Sequence, residues 1–181
     1  MKPFHGISPR LEARVAGVLY LFSMFLGVVG GILINNKMQV QGDRANLAAA
    51  IFYTGVTVLL WDLFRPVSAW LSTSVAIFSL VGNWLPQSWY KMAHISITLY
   101  FGSYCLLIGY LILRSKFFPK FVGVLMSFAG ACWLTTNWPW LASIISPYNE
   151  IGGLLGEGTM TGYLLVKGLN ERKWKEQAGV V

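Results

Sequence analysis

Residues 15–34 read VAGVLYLFSMFLGVVGGILI, a run in which no side chain carries a charge. At about 1.5 Å of rise per residue, such a run makes a helix of about 30 Å, the thickness of a bilayer's hydrocarbon core. Its apolar residues are continuous rather than alternating, which suits a spanning helix and not a barrel strand. A basic stretch precedes it, as in a secretory signal. The run is nevertheless longer than a signal's apolar core and no small-residue cleavage site follows, so it is expected to stay in place as a helix.

Similar runs recur along the chain. Spans are expected at 15–34, 45–63, 67–85, 92–113, 121–141 and 148–166. With 55% hydrophobic residues and 12% charged ones, the chain excludes an ordinary soluble domain. The connections are short, RP between the second and third spans and RSKFFPK between the fourth and fifth, so neighbouring helices should run antiparallel. The expected fold is all-α, a single transmembrane domain over 1–181 forming a six-helix up-and-down bundle. No inverted repeat relates its two halves.

The net charge of +7 is dispersed between the spans rather than gathered with aromatics, which argues against a nucleic-acid partner and for a topological signal. With the N-terminus inside, the inner segments hold eleven basic residues: Lys2, Arg10, Arg14, Arg65, Arg114, Lys116, Lys120, Lys167, Arg172, Lys173 and Lys175. The outer loops hold three, Lys37, Arg44 and Lys91. That bias requires an even number of spans, with both termini cytoplasmic.

Small and polar residues recur at helical spacing in each span, and in lipid such stripes mark helix contacts. The pairs Gly27/Gly31, Gly152/Gly156 and Gly158/Gly162 have GxxxG spacing and are expected either to pack helices within the chain or to meet another subunit.

The stretch at 152–168, GGLLGEGTMTGYLLVKG, sets a carboxylate in the middle of the last span. An ionised group there costs at least about 2.5 to 3.5 kcal/mol, so Glu157 should face the bundle interior. Thr161 lies on the same face one turn away. No Lys or Arg falls at that depth, which leaves hydrogen bonds from other spans, a retained proton or a bound cation. Glu157 is therefore either a proton or cation carrier or a hydrogen-bonded clamp between helices. Asn83 is a further polar residue within a span, and His94 opens the fourth span. The other histidine, His5, lies in a tail on the opposite side, so a bis-histidine haem site is excluded. Asp62 and Arg65 should form an interfacial contact beside Pro66.

Trp84, Trp89, Tyr90, Trp138, Trp140 and Tyr148 collect at the outer ends of spans three to six, as an anchoring belt or a docking rim. Cys105 and Cys132 lie in separate spans and read as core residues. There are no paired carboxylates, HExxH, phosphate-binding glycine loop or Ser/His/Asp set, so neither catalysis nor a metal site is expected. The composition names no cofactor.

Three stretches carry a likeness to a known family. They are HISITLYFGSYCLLIGYLILRSKFFPKFVGVLMSFAGACWL from His94 to Leu134, LFRPVSAWL upstream, and GEGTMTGYLLVKGLN near the end. Together they make the chain resemble a family of small bacterial integral membrane proteins known as the domain of unknown function numbered 4386. The signature pieces are His94, Phe101-Gly102, the LLIGYLILRS run with Pro119, and Gly156-Glu157. The connection GNWLPQSWYKMA between spans three and four is shorter than in that family. The resemblance implies a bacterial cytoplasmic (inner) membrane location and six helices, and it implies no substrate or reaction.

The expected function is a non-catalytic membrane subunit or scaffold, packed against lipid and against a membrane-protein partner or a second copy of itself. One alternative is a small proton- or cation-coupled transporter or channel centred on Glu157. Another is a lipid- or quinone-binding membrane protein.

Overall fold

The computed structural model describes residues 7–85 and 96–180, and every regular element in them is an α-helix. In chain order these are α1 (Pro9–Asn35), α2 (Gln39–Phe64), α3 (Ala69–Trp84), α4 (Ile97–Arg114), α5 (Lys120–Thr135), α6 (Pro139–Ile145), α7 (Tyr148–Val166) and α8 (Glu171–Ala178). Three of them, α1, α2 and α4, are long and apolar enough to cross a membrane. With 16 residues each, α3 and α5 reach about 24 Å. The 19 residues of α7 are long enough, but its glycines, Glu150 and Glu157 dilute their hydropathy.

Polarity is inverted relative to a water-soluble protein. Phe25, Ile51, Ile77, Val124, Phe128 and Leu155 point outward and are exposed, whereas Ser23, Thr57, Ser72, Ser79, Asn149, Glu157 and Thr161 are buried. A continuous apolar exterior around a polar-spotted interior is the arrangement that hydrocarbon favours, and it makes this a membrane protein.

The long helices close into a ring. α1 packs on α2, α2 on α3, α3 on α4, α4 on α5, α5 on α7, and α7 returns to α1. Successive members run antiparallel, so the ring has two distinct ends. One gathers Arg10, Arg14, Arg65, Arg114, Lys116, Lys120 and Lys167 and is called the basic end; the other, with Trp84, Trp138, Trp140 and Tyr148, is called the aromatic end.

Local chemistry explains where the helices differ from the expected spans. α1 begins at Pro9, earlier than residue 15, because Ser8 caps it by accepting from the Leu11 amide at 3.2 Å and proline at the first position needs no amide partner. The expected fifth span, 121–141, instead stops at Thr135. Pro139 forces Trp138 into an extended conformation, and the side chains of Thr135, Thr136 and Asn137 turn back to donate to the carbonyls of Cys132, Trp133 and Leu134. The chain resumes as the short α6, whose residues are all partly or fully exposed. At the basic end α8 follows the last long helix. Its Asn170 cap accepts from the Lys173 amide, and its Trp174 enters the core and donates to the Leu63 carbonyl at 2.9 Å. Trp174, Phe64, Phe117, Phe118 and Leu169 thereby fill the basic half of the ring.

The close approach of α4 and α5 depends on glycines seven residues apart. A Cβ on Gly130 of α5 would lie 2.7 Å from the Gly102 carbonyl oxygen and 2.8 Å from the Leu106 amide nitrogen of α4. One on Gly123 would lie 3.0 Å from the Gly109 carbonyl oxygen. Of the three GxxxG pairs, only Gly152/Gly156 packs inside the chain, against Cys132 and Phe128 and against Leu125 and Ala129 respectively. Among the described residues, Gly27, Gly31, Gly158 and Gly162 have no neighbour within 4 Å of the added carbon. Only one pair therefore serves internal packing; the others leave the alternative of contact with another subunit.

Gly130→Ala should cost about 1 to 3 kcal/mol, because the obstructing atoms are backbone and cannot swing away. Gly31→Ala should be neutral or slightly stabilising, since it fills open space within a helix. Trp174→Ala should cost about 3 to 5 kcal/mol. Reversible unfolding in mixed micelles measures all three.

Candidate functional site

The six helices of the ring differ in what they place at its centre. Toward the basic end the centre holds Leu60, Leu111, Ile112, Met126, Met160 and Leu164, all essentially inaccessible. Toward the aromatic end the facing residues are smaller, among them Gly27, Ala49, Ala50, Ser79 and Gly82, and the helices leave a cavity of about 610 Å³. That lies within the range of small-molecule sites, roughly 300 to 1,000 Å³. Its wall on α1 runs from Tyr20 to Val28, about 12 Å along the helix.

Six side chains form the floor. They are Tyr20 on α1, Tyr53 on α2, Ser79 on α3, Tyr104 on α4, Trp133 on α5 and Glu157 on α7, and except on α3, where Phe78 precedes Ser79, each is the wall residue nearest the basic end on its helix. Helical phase produces this convergence, because Gly153, Glu157 and Thr161 share one face of α7 and all three are buried. Glu157 is 3% exposed. Its Oε1 accepts from the Trp133 indole N–H at 2.6 Å and its Oε2 from the Tyr20 hydroxyl at 3.4 Å. The ion pairs among the described residues, Asp62–Arg65, Arg172–Glu176 and Glu171–Lys175, do not involve it. The carboxylate is thus held by two neutral donors from two other helices.

Aromatic rings pack edge to face around this group. Tyr53 lies at the centre, 5.8 Å from both Tyr20 and Tyr104 and 6.2 Å from Phe101. Phe101 in turn meets Trp133 at 5.9 Å. The Tyr53 hydroxyl is buried without a hydrogen-bond partner. Ser79 shares a hydrogen bond with Thr57 at 2.9 Å, and Ser23 donates to the Ala49 carbonyl.

The other residues singled out by sequence fall in different places. Thr161 is buried one turn below Glu157, and its hydroxyl lies 3.5 Å from the Met24 sulfur rather than on the carboxylate. Asn83 lines the upper wall and donates to the Ala50 carbonyl at 3.0 Å and the Thr54 hydroxyl at 3.3 Å. Trp84 is half-exposed and donates to Thr54, while Trp138, Trp140 and Tyr148 project outward at the same end. His94, Trp89 and Tyr90 lie outside the described residues. Asp62 pairs with Arg65 at 3.1 Å.

Sequence reasoning missed the aromatic partners. Tyr20 and Trp133 carry no signal beyond their type, and one aromatic among many in a span reads as packing. It also missed Glu12, which stands before the first apolar run and resembles a tail charge. In the structure Glu12 is 1% exposed, and neither carboxylate oxygen has a hydrogen-bond partner. Among the described residues, no three His, Cys, Asp or Glu side chains are placed to hold a metal ion.

The floor takes one residue from each helix of the ring, and three of these helices, α4, α5 and α7, lie in the segment that the family comparison covers. Residues 85–168 match the family described as Domain of unknown function (DUF4386). This segment carries the 4386 domain. It contains Tyr104, Trp133 and Glu157 of the floor, with Phe101 beside them, while Tyr20, Tyr53 and Ser79 lie before it. LFRPVSAWL, at 63–71, also falls before the matched segment. No curated protein and no solved structure matches the chain.

Trp133→Leu removes the shorter donor and should lower stability by about 1 to 3 kcal/mol, the cost of leaving a buried acceptor under-satisfied. Thr161→Val should change stability by less than about 1 kcal/mol, because the contact it loses is a weak one to sulfur. Unfolding midpoints of the two variants in one detergent give the comparison.

Proposed function

We propose that the chain is a small six-span transporter of the bacterial inner membrane, which admits a solute into the cavity and couples its movement to proton or cation exchange at Glu157. The observation that carries this reading is that the cavity ends on Glu157. A clamp between helices needs its donors but not a space of this size above it. In this reading α3, α5 and α7 cross the membrane with α1, α2 and α4, and the two 16-residue helices are accommodated by local thinning. The basic end faces the cytoplasm, in accord with the bias of Lys and Arg, and both termini lie there. The cavity is then open toward the outer side and closed by the packed core toward the inner one.

A second reading, a non-catalytic subunit of a larger membrane assembly or a homo-oligomer, rests on a separate observation. Gly31 and Gly158 lie on exposed surfaces with nothing within 4 Å of an added carbon, a surface that another helix could approach closely. It does not account for the cavity.

Topology and transport are testable together. In a Cys105→Ala, Cys132→Ala background, Ala50→Cys on the cavity wall should react with a membrane-impermeant maleimide added to intact cells. Lys116→Cys should react only after permeabilisation. Proteoliposomes containing the protein should then show solute-dependent proton or cation flux that Glu157→Gln abolishes while the variant keeps its native elution. Labelling of Lys116→Cys from outside, or flux unchanged by Glu157→Gln, would contradict the proposal.

A further inference from the structure

Resting on the reading that the cavity admits a solute, we infer that the solute is a singly charged organic cation, a quaternary ammonium or protonated amine, received by Glu157 and the rings of Tyr20, Tyr53, Tyr104 and Trp133. Charge sets the sign. Among the described residues Glu157 is the one carboxyl group lining the cavity, and its protein partners are neutral donors, so once ionised it presents an entering cation with an acceptor that no protein cation neutralises. An anion would meet the same carboxylate with no basic residue on the described wall to offset it. One acidic group corresponds to one positive charge.

Chemistry and size set the class. A bare metal ion prefers several oxygen ligands at short range, and the floor offers one carboxylate ringed by aromatic carbon. The faces of aromatic rings suit a diffuse ammonium charge instead, and an aromatic cage is the recurring solution for such ligands. Tyr53 lines the cavity and lies between the rings of Tyr20 and Tyr104, 5.8 Å from each. The cavity of about 610 Å³ is also far larger than a proton or hydrated metal ion needs.

The test compares three probes of similar shape and different charge on the full-length protein in lipid nanodiscs, by titration calorimetry: benzyltrimethylammonium, benzyl alcohol and benzoate. The cation should bind saturably, once per chain, and at least about tenfold more tightly than either other probe. Glu157→Gln should weaken it about tenfold or more. Tyr53→Leu, which removes the ring, should lose about three- to thirtyfold. The parent's charge series does not depend on how the variants fold, and the elution profile reports on the variants. If benzyl alcohol or benzoate binds as tightly as the cation, the assignment of class is overturned. It is equally overturned if the cation fails to bind a protein whose Ala50→Cys form is labelled from outside, and the cavity reading then survives. Failure of that labelling overturns both.

Discussion

A carboxylate placed halfway along a helix in hydrocarbon cannot be left to its own helix, because the intrahelical hydrogen bonds already use the backbone donors around it. Glu157 is answered from outside, by the Trp133 indole of α5 at 2.6 Å and the Tyr20 hydroxyl of α1 at 3.4 Å. Those two bonds fasten α7 to both of its neighbours in the ring and fix its rotation, since any other phase would turn the carboxylate toward lipid. With α7 set, Gly152 and Gly156 face α5, and Gly153 lies under the Trp133 ring with room for no side chain.

The two halves of the ring follow different packing rules. At the basic end large aliphatic and aromatic residues meet, and α8 returns to place Trp174 against Leu63 as a closing element. At the aromatic end glycine, alanine and serine line the centre, yet the helices do not collapse onto one another. Close approach is taken up elsewhere, between α4 and α5, where glycine faces glycine across the interface. A ring drawn tight on one side and filled at one end leaves its void at the other end, directly above Glu157.

The membrane class, the helical content and the suspicion about Glu157 were all legible in the sequence, because apolar run length and a lone intramembrane carboxylate are local signals. The ends of the elements were less so. Pro139 sits inside an apolar run, and its effect on Trp138 and on the end of α5 depends on backbone geometry that hydropathy does not register. Which glycines pack within the chain is left open by the sequence for a related reason. GxxxG spacing marks close approach only when the motif faces a partner, and Gly27, Gly31, Gly158 and Gly162 do not face one within the chain, whereas Gly102, Gly109, Gly123 and Gly130 do. The site's aromatic residues come from four different helices, so their convergence is a property of the ring and of no single stretch.

The central claim is that Glu157 is reached by water from one side of the membrane and sealed from the other. The most direct measurement is modification of Glu157 by a membrane-impermeant, water-soluble carbodiimide in sealed vesicles of opposite orientation, mapped by peptide mass spectrometry. An adduct is expected at Glu157 when the reagent faces the outer side and none when it faces the cytoplasmic side. Equal modification from both sides, or none from either, would contradict the claim.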